Sequence, residues 1–513
     1  MISPHHYWST LWPANILLLL TLPALLLLLT RRRRPNLRHP PGPPGWPVIG
    51  NILDLGAMPH RSLTAMRDAH GDVVRLRLGY SKSAVAILST SAAADFFKNH
   101  DLDFADRTVT QIMKVHGYDR GSVALAPYGP YWRVLRRLVT VDMLVAKRIN
   151  ASYPVRRKCV DDMIRWIGDE SGSEIQVARF VFLTTFNLLG NDLVGSDSND
   201  ADTFFEAMMK LMEWSGHANV ADVFPWLRWL DPQGLRKKMD RDLGIALGVA
   251  SKFVRERITE EGDNKEKEGD KKDFLDVMLE FRGNGKDEPD RFTEHQINIF
   301  ILKLFPFSNL QEIFLAGSET SSSTIEWAMT ELLRHPESMS KLKSELDKVV
   351  GPDRKVEESD IDDLPFLQSV IKETFRLHPP LPLLVPRRVE EDAVYMGYHV
   401  PKGTQVLVNA WAIGRDAEAW GDDAWGFKPE RFLGSKVDFR GQHHQLIPFG
   451  AGRRVCAGLL LAHRMVHLVL GTLVHEFNWE LTVDPKDLNM DDRLGVTMRR
   501  FEPLMAVARE VRG

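Results

Sequence analysis

Phe449-Gly450-Ala451-Gly452-Arg453-Arg454-Val455-Cys456-Ala457-Gly458 sets three glycines around one cysteine, and an apolar run, Leu459 to Leu473, begins directly after it. Glycines permit tight turns and close backbone approach to a flat ligand. A thiol at the start of a helix is favoured as thiolate by the helix dipole and the nearby amides. Arg454 adds positive charge, so the sequence places Cys456 to be a thiolate. The chain has two cysteines. The other, Cys159 in Arg156-Arg157-Lys158-Cys159, reads as an ordinary small buried residue of a basic helix.

That count excludes a disulfide scaffold and a four-cysteine zinc site. The chain has 513 residues, with 66 basic and 69 acidic side chains for a net charge of −3. A near-balanced charge gives no support to a nucleic-acid binder held by a general basic field. Hydrophobic residues make up 44% and charged residues 26%, which fits a globular protein and excludes wholesale disorder.

The N-terminus differs from the rest. Leu11 to Thr30 carries no charge and is mostly leucine, and Arg31, Arg32, Arg33 and Arg34 follow at once. Roughly 20 helical residues span a hydrocarbon core of about 30 Å. The arginines stay cytoplasmic by the positive-inside rule, which puts the N-terminus in the lumen. A cleaved signal peptide needs its charges on the other side and a small-residue cleavage site, and neither is present. Residues 1–34 are therefore read as a membrane anchor with a basic stop. Residues 35–50, with Pro40-Pro41-Gly42-Pro43-Pro44-Gly45-Trp46-Pro47, read as a stiff hinge, neither helix nor strand. Residues 51–513 form one large body with no internal repeat. Short alternation at Val73–Leu78 and Ala84–Leu88 reads as strand, and helical patterns dominate from about Ala92 to His378. The mixed charge run from Glu260 to Lys272 reads as a solvated loop. The fold class expected is mainly α with small β-sheets.

The order Phe-x-x-Gly-x-Arg-x-Cys-x-Gly around Cys456 resembles the haem-ligand loop of the cytochrome P450 family of haem-thiolate monooxygenases. That resemblance implies the P450 fold and a haem b cofactor whose iron Cys456 ligates, with Phe449 and Gly450 in the cradle. Other segments match in order. Glu373-Thr374-Phe375-Arg376 and Pro429-Glu430-Arg431-Phe432 imply a buried structural network of Glu373, Arg376 and Arg431. Trp132-Arg133-Val134-Leu135-Arg136 implies propionate contacts from Trp132 and Arg136. Arg454 matches a further propionate arginine, and Arg387 another, with Arg388 as the alternative. Ala316-Gly317-Ser318-Glu319-Thr320 resembles the oxygen-activation motif. There Gly317 leaves room for dioxygen, Thr320 hydrogen-bonds distal oxygen species and Glu319 relays protons. The leucine-rich anchor, Phe104-Ala105-Asp106-Arg107 and Phe224-Pro225-Trp226-Leu227 resemble the plant microsomal type, and the last of these with Trp229-Leu230-Asp231-Pro232-Gln233-Gly234 resembles the geraniol hydroxylases most.

The implied activity is the oxidation of a small apolar plant metabolite (terpenoid, phenolic or alkaloid) by O2. The resemblance implies electrons from NADPH through NADPH-cytochrome P450 reductase, and a single-pass protein of the endoplasmic reticulum membrane with its catalytic domain in the cytosol. The expected pocket is apolar, drawing on Ile112, Met113, Val115, Leu315, Leu383, Leu384, Val385 and Val496. A reductase-independent isomerase or dehydratase is the alternative within the fold, and Thr320 and the uninterrupted cysteine loop argue against it. One departure stands out. Residues 303 to 311 (Lys303 through Gln311, nine residues) separate two stretches that run together in the family, and Pro306 lies among them. Nine residues turn an ideal helix by about 2.5 turns and proline breaks its ladder, so a break or loop is expected near Pro306. A real insertion and a gene-model error both fit. Were the segment to disrupt the oxygen-activation helix, the product would be a non-catalytic anchored haem protein.

Overall fold

The computed structural model describes residues 38–193, 210–245 and 309–511, apart from 81, 118, 120, 121, 211–213, 216, 218 and 496. The anchor, the charge run and Pro306 lie outside the described residues. Among the described residues no helix is long and apolar enough to cross a membrane.

The longer helices are α1 (Pro59–His70), α2 (Thr90–Asn99), α3 (Pro130–Arg137), α4 (Tyr153–Asp169), α5 (Val177–Leu193), α6 (Asn309–Arg334), α7 (Pro336–Val349), α8 (Pro365–Leu377) and α9 (Leu459–Glu476). Proline begins α1, α3, α7 and α8. It fits there because its fixed φ suits the first turn and its missing N–H would have no partner. Asn309 to Gln311, the last three residues of the nine-residue departure, form the first turn of α6.

Helix α6 runs through the middle of the molecule against α5, α8 and α9. From Ser318 onward it is buried on nearly every face, with Ile325, Ala328, Met329 and Leu332 fully enclosed. Such a helix must satisfy its own hydroxyls. Ser323 donates to the Met498 carbonyl at 2.7 Å, Ser322 to that of Ala178 at 3.2 Å, and Thr324 and Thr330 back-bond to the carbonyls of Thr320 and Glu326. Helix α9 is likewise buried on every face from Met465 to His475, a stretch that includes His467, Thr472 and His475. A helix buried all round belongs to the core and is not an amphipathic surface helix. The core joins α4, α5, α6, α8 and α9 through residues such as Val160, Met163, Val181, Ile371 and Leu470, and Cys159 sits inside it.

A five-stranded sheet stands to one side. Its strands are β1 (Val73–Leu78), β2 (Lys82–Ile87), β3 (Asp106–Arg107), β5 (Arg387–Arg388) and β8 (Gln405–Val408), in the order β1-β2-β8-β5-β3. β2 and β8 are parallel and the other pairs antiparallel. Further small sheets pair β4 (Glu174–Gln176) and β9 (Phe477–Glu480) with β12 (Met505–Glu510), β6 (Ala393–Tyr395) with β7 (Tyr398–Val400), and β10 (Asp492–Leu494) with β11 (Met498–Arg500). The expected strand at Val73–Leu78 is β1 itself, and the second begins at Lys82, two residues before its expected start.

The proline-rich segment is neither helix nor strand as far as Gly45 and closes a turn over Trp46–Gly50, and its described part lies against the β1 edge. Pro41 accepts from the Arg75 amide at 2.7 Å, and the Arg77 guanidinium reaches the Gly45 carbonyl at 3.1 Å. Gly42 is required there, because a Cβ would overlap the Arg75 carbonyl. The segment thus covers an edge strand whose free backbone groups would otherwise pair elsewhere.

Candidate active site

Three elements meet at one cavity: the cysteine loop before α9, the stretch Ala316–Ser321 of α6, and the turn from Pro380 to β5. It encloses about 1600 Å³ between atoms, counting its open mouth, and most of its wall is carbon. Cys456, Gly317 and Thr320 all line it. The Cys456 sulfur is accessible from the cavity, while the residue itself lies deep in the molecule.

The loop's own backbone holds the cysteine. The Gly450 amide donates to the Ile447 carbonyl at 2.9 Å, and the Cys456 amide to that of Phe449 at 2.9 Å. This needs Gly450 and Gly452 in left-handed conformations, at φ 70° and 69°. Phe449 is wedged against Phe375 and Phe439 with ring centroids 5.2 and 5.4 Å away. Helix α8, which carries Phe375, therefore abuts the loop. One turn of that helix also carries Glu373 and Arg376, both fully buried. Arg376 grips Glu373 through two bonds of 2.6 and 2.7 Å, and Arg431 reaches the same carboxylate at 2.9 Å. The remaining Arg376 donors hold the carbonyls of Gly414, Ala424 and Gly426. The structure thus brings the three network residues together.

The cationic residues line one wall. Arg454 stacks on the Trp132 ring at 4.1 Å and donates to the carbonyls of Ala105 and Ala126 at 2.9 and 2.7 Å. Burial and the neighbouring Arg387 charge push it down to about 10, so it stays protonated near neutral pH. The Trp132 indole donates to the Val123 carbonyl at 2.8 Å. Arg387 bonds Asp101 at 2.6 Å and the Ala451 carbonyl at 3.0 Å. Arg136 lines the cavity, and its guanidinium makes no hydrogen bond to any described residue. Arg388 points elsewhere: half exposed itself, it bonds the buried Asp106 of β3.

Thr320 lines the cavity, its hydroxyl donating to the Ala316 carbonyl one turn back. Glu319 does not line it. Its carboxylate is buried, accepts from Thr497 and from Arg499 at 2.6 Å, and keeps Oε2 without a hydrogen-bond partner among the described residues. Of the expected apolar wall, Leu384 and Val385 are present. Leu383 instead packs on the sheet beside Leu76 and Leu88, and Ile112, Met113 and Val115 stand off the cavity. The Leu315 side chain and Val496 lie outside the described residues. The wall also holds Arg107, from a segment already quoted, and residues that the sequence did not single out: Val139, Leu144, Thr185, Leu188 and Met465. Leu188 and Thr185 share one face of α5 at helical spacing, a signal no different from ordinary core packing.

The cradle fits a flat anionic metal complex. The floor offers one sulfur, and Gly317, Gly450, Ala457 and Ala462 leave the walls flat. The Arg136 guanidinium has no hydrogen-bond partner to lose among the described residues. The thiol itself differs from its sequence reading. Burial pushes Cys456 up and outweighs the Gly458 amide and Arg136, so the protein alone does not hold it as thiolate. A coordinated metal cation supplies the missing charge, since it deprotonates a ligating thiol outright.

The family model of cytochrome P450 matches residues 40–505. The chain belongs to the cytochrome P450 family. It is an oxidoreductase of the monooxygenase class, and the family implies haem iron in this cradle. It is 52% identical to cytochrome P450 76A2 of Solanum melongena, over 93% of this chain and 94% of that one. It is 47% identical to an iridoid oxidase of Catharanthus roseus (92% of each chain). It is 40% identical to geraniol 8-hydroxylase of the same plant, over 96% of this chain and 98% of that one. The P450 fold is shared with a zebra fish cytochrome P450 solved with progesterone, at TM-score 0.74 and 24% identity, covering 88% of this chain and 99% of that one.

Proposed function

We propose that this P450 is a membrane-anchored monooxygenase that oxidises a small apolar terpenoid, with phenolic and alkaloid skeletons as the other classes its wall accommodates. The observation that carries the reading is a single cysteine sulfur on the floor of a carbon-walled cavity, with Gly317 and Thr320 on its wall. Relatives named for iridoid oxidation and geraniol hydroxylation support the terpenoid class. Residues 1–34 serve as the anchor in the endoplasmic reticulum membrane, 35–50 orient the body, and 51–513 carry catalysis on the cytosolic side. NADPH-cytochrome P450 reductase is the electron source.

Haem, when bound, supplies dioxygen activation at its iron, chemistry no side chain can perform. Cys456 would ligate its iron through Sγ, and Arg136, Arg387 and Arg454, with Trp132, would hold its carboxylates. Leu384, Val385 and Leu188 bind the substrate skeleton by burying it, and the same surface excludes water. Gly317, on the cavity wall, has no side chain to occupy the space a diatomic molecule needs. Thr320 Oγ1 hands a proton into the cavity once it swings from the Ala316 carbonyl, and Glu319 replenishes it from the side of Arg499.

The test is full-length protein in membranes with reductase, NADPH and labelled dioxygen, offered monoterpenoid alcohols, simple phenolics and alkaloids in parallel. One labelled oxygen atom in a terpenoid product, with NADPH consumed, is the expected result. Turnover of a peroxide substrate without reductase, and none with it, refutes the monooxygenase reading.

A further inference from the structure

We infer that Asp101 is a positioning residue for the cysteine loop and sets the charge that Arg387 presents to the cavity; this rests on the haem-thiolate reading of the site. Asp101 does not line the cavity and is buried behind its wall. Its Oδ1 accepts from Arg387 at 2.6 Å, and its Oδ2 from the Arg453 amide at 2.9 Å and the Arg453 guanidinium at 3.1 Å. The second Arg387 nitrogen reaches the Ala451 carbonyl at 3.0 Å. These bonds close a ring that clamps loop residues 451 to 453 to β5. Gly452 is shaped to this carboxylate, because a Cβ there would overlap it. Two independent features of the loop, an amide and a missing side chain, are therefore matched to one acid.

The consequence is electrostatic as well as mechanical. Arg387 is otherwise flanked by the rings of Phe96 and Phe97, at 5.4 and 5.1 Å, which offer no formal negative charge. Asp101, which it shares with the more exposed Arg453, offsets that charge, so the arginine binds a carboxylate by geometry while adding less net charge beside the cofactor. A negative charge nearby disfavours adding an electron to a bound cofactor. Asp101 thus keeps the reduction potential of the haem low and keeps the loop closed on it.

The experiment uses the full-length holoprotein and Asp101→Asn, which keeps the shape and removes the charge. Two readouts serve: the haem reduction potential, and the rate of haem transfer to excess apomyoglobin. The potential should rise, and haem loss should quicken roughly tenfold, the size of one charge-assisted hydrogen bond. Arg453→Gln removes a positive charge from the same clamp. Its potential should fall while its haem loss also quickens. Simple loosening of the loop moves both potentials the same way, so a common direction overturns the charge role. Unchanged potential and haem loss in Asp101→Asn overturn the inference entirely. If Asp101→Asn does not accumulate as holoprotein, Arg453→Gln alone carries the test, and a wild-type potential and haem-loss rate in it overturn the clamp. A wild-type holoprotein whose reduced carbon monoxide complex lacks the thiolate signature instead refutes the haem-thiolate reading beneath both.

Discussion

Replacing Arg376 by alanine removes two bonds to a fully buried carboxylate and strips donors from three backbone carbonyls at once. Glu373 would keep only the Arg431 Nε at 2.9 Å and the Lys428 amide at 2.8 Å. Breaking a buried ion pair by deleting one partner costs about 3–5 kcal/mol, because the remaining charge stays dry. Each carbonyl of Gly414, Ala424 and Gly426 left without a donor adds about 1–3 kcal/mol, less where water enters the gap. These terms overlap, and about 5 kcal/mol is a sober total. That is a large share of a domain's roughly 5–15 kcal/mol. Arg431→Ala should cost far less. It leaves the Arg376 fork intact, and its other side-chain partner, Asp423, is half exposed. Arg376→Lys should fall between wild type and Arg376→Ala, since an ammonium keeps the charge and loses the fork that reaches three carbonyls. Urea unfolding followed by circular dichroism gives the order, and haem content per folded chain reports on the loop, because Phe375 of the same helix supports Phe449. An Arg376→Ala loss under about 1 kcal/mol, the range of a surface pair, refutes the reasoning. So does an Arg431→Ala loss equal to or larger than that of Arg376→Ala.

Cys456→Ser should abolish the thiolate signature of the reduced carbon monoxide complex, whereas Cys159→Ser should leave that spectrum unchanged; equal effects would sink the assignment. Thr320→Ala should lower product formed per NADPH consumed by roughly tenfold or more, the scale of a lost proton-transfer group, with NADPH consumption itself persisting. Glu331 gives a pH prediction. Burial pushes its carboxyl up, but hydrogen bonds from His335 and His378 outweigh burial and hold it at about 2, against an ordinary 4.5. A depressed folded value means the stabilisation is complete above about pH 4.5 and is lost as pH falls through about 2. Glu331→Gln should therefore flatten the acid limb of the urea midpoint in that window, by up to about 3 kcal/mol; an acid limb as steep as wild type counts against it.

How much of this was legible depended on how far apart the interacting residues stand in the chain. The floor of the site was readable because its parts are contiguous: glycine, arginine, cysteine and the helix start all lie within ten residues. Strand β1 was readable because alternation is a local period, and β2 was misplaced by two residues because an edge turn carries no such period. Positions on the apolar wall were partly wrong for the same reason. Leu383 and Leu384 are chemically equivalent neighbours. Leu384, whose backbone is left-handed at φ 50°, lines the cavity, while Leu383 packs on the sheet.

Charge partners were the least legible, because a guanidinium motif names a donor and never its acceptor. Arg387 could be picked out by its place after Leu383-Leu384-Val385-Pro386, yet its carboxylate lies 286 residues earlier. Glu319 shows the converse. Its neighbours in the chain suggest an acid facing the cavity, but on a helix the residue before Thr320 projects about 100° away from it. That turn delivers Glu319 to Thr497 and Arg499 on the β10–β11 hairpin. If Glu319 feeds protons to Thr320, it does so from the hairpin side, past Arg499, whose side chain is one-third exposed. Arg499→Ala should then alter the pH profile of coupling without altering the haem spectrum. A profile identical to wild type would remove Glu319 from the proton route and leave it as the anchor that ties α6 to the C-terminal hairpin.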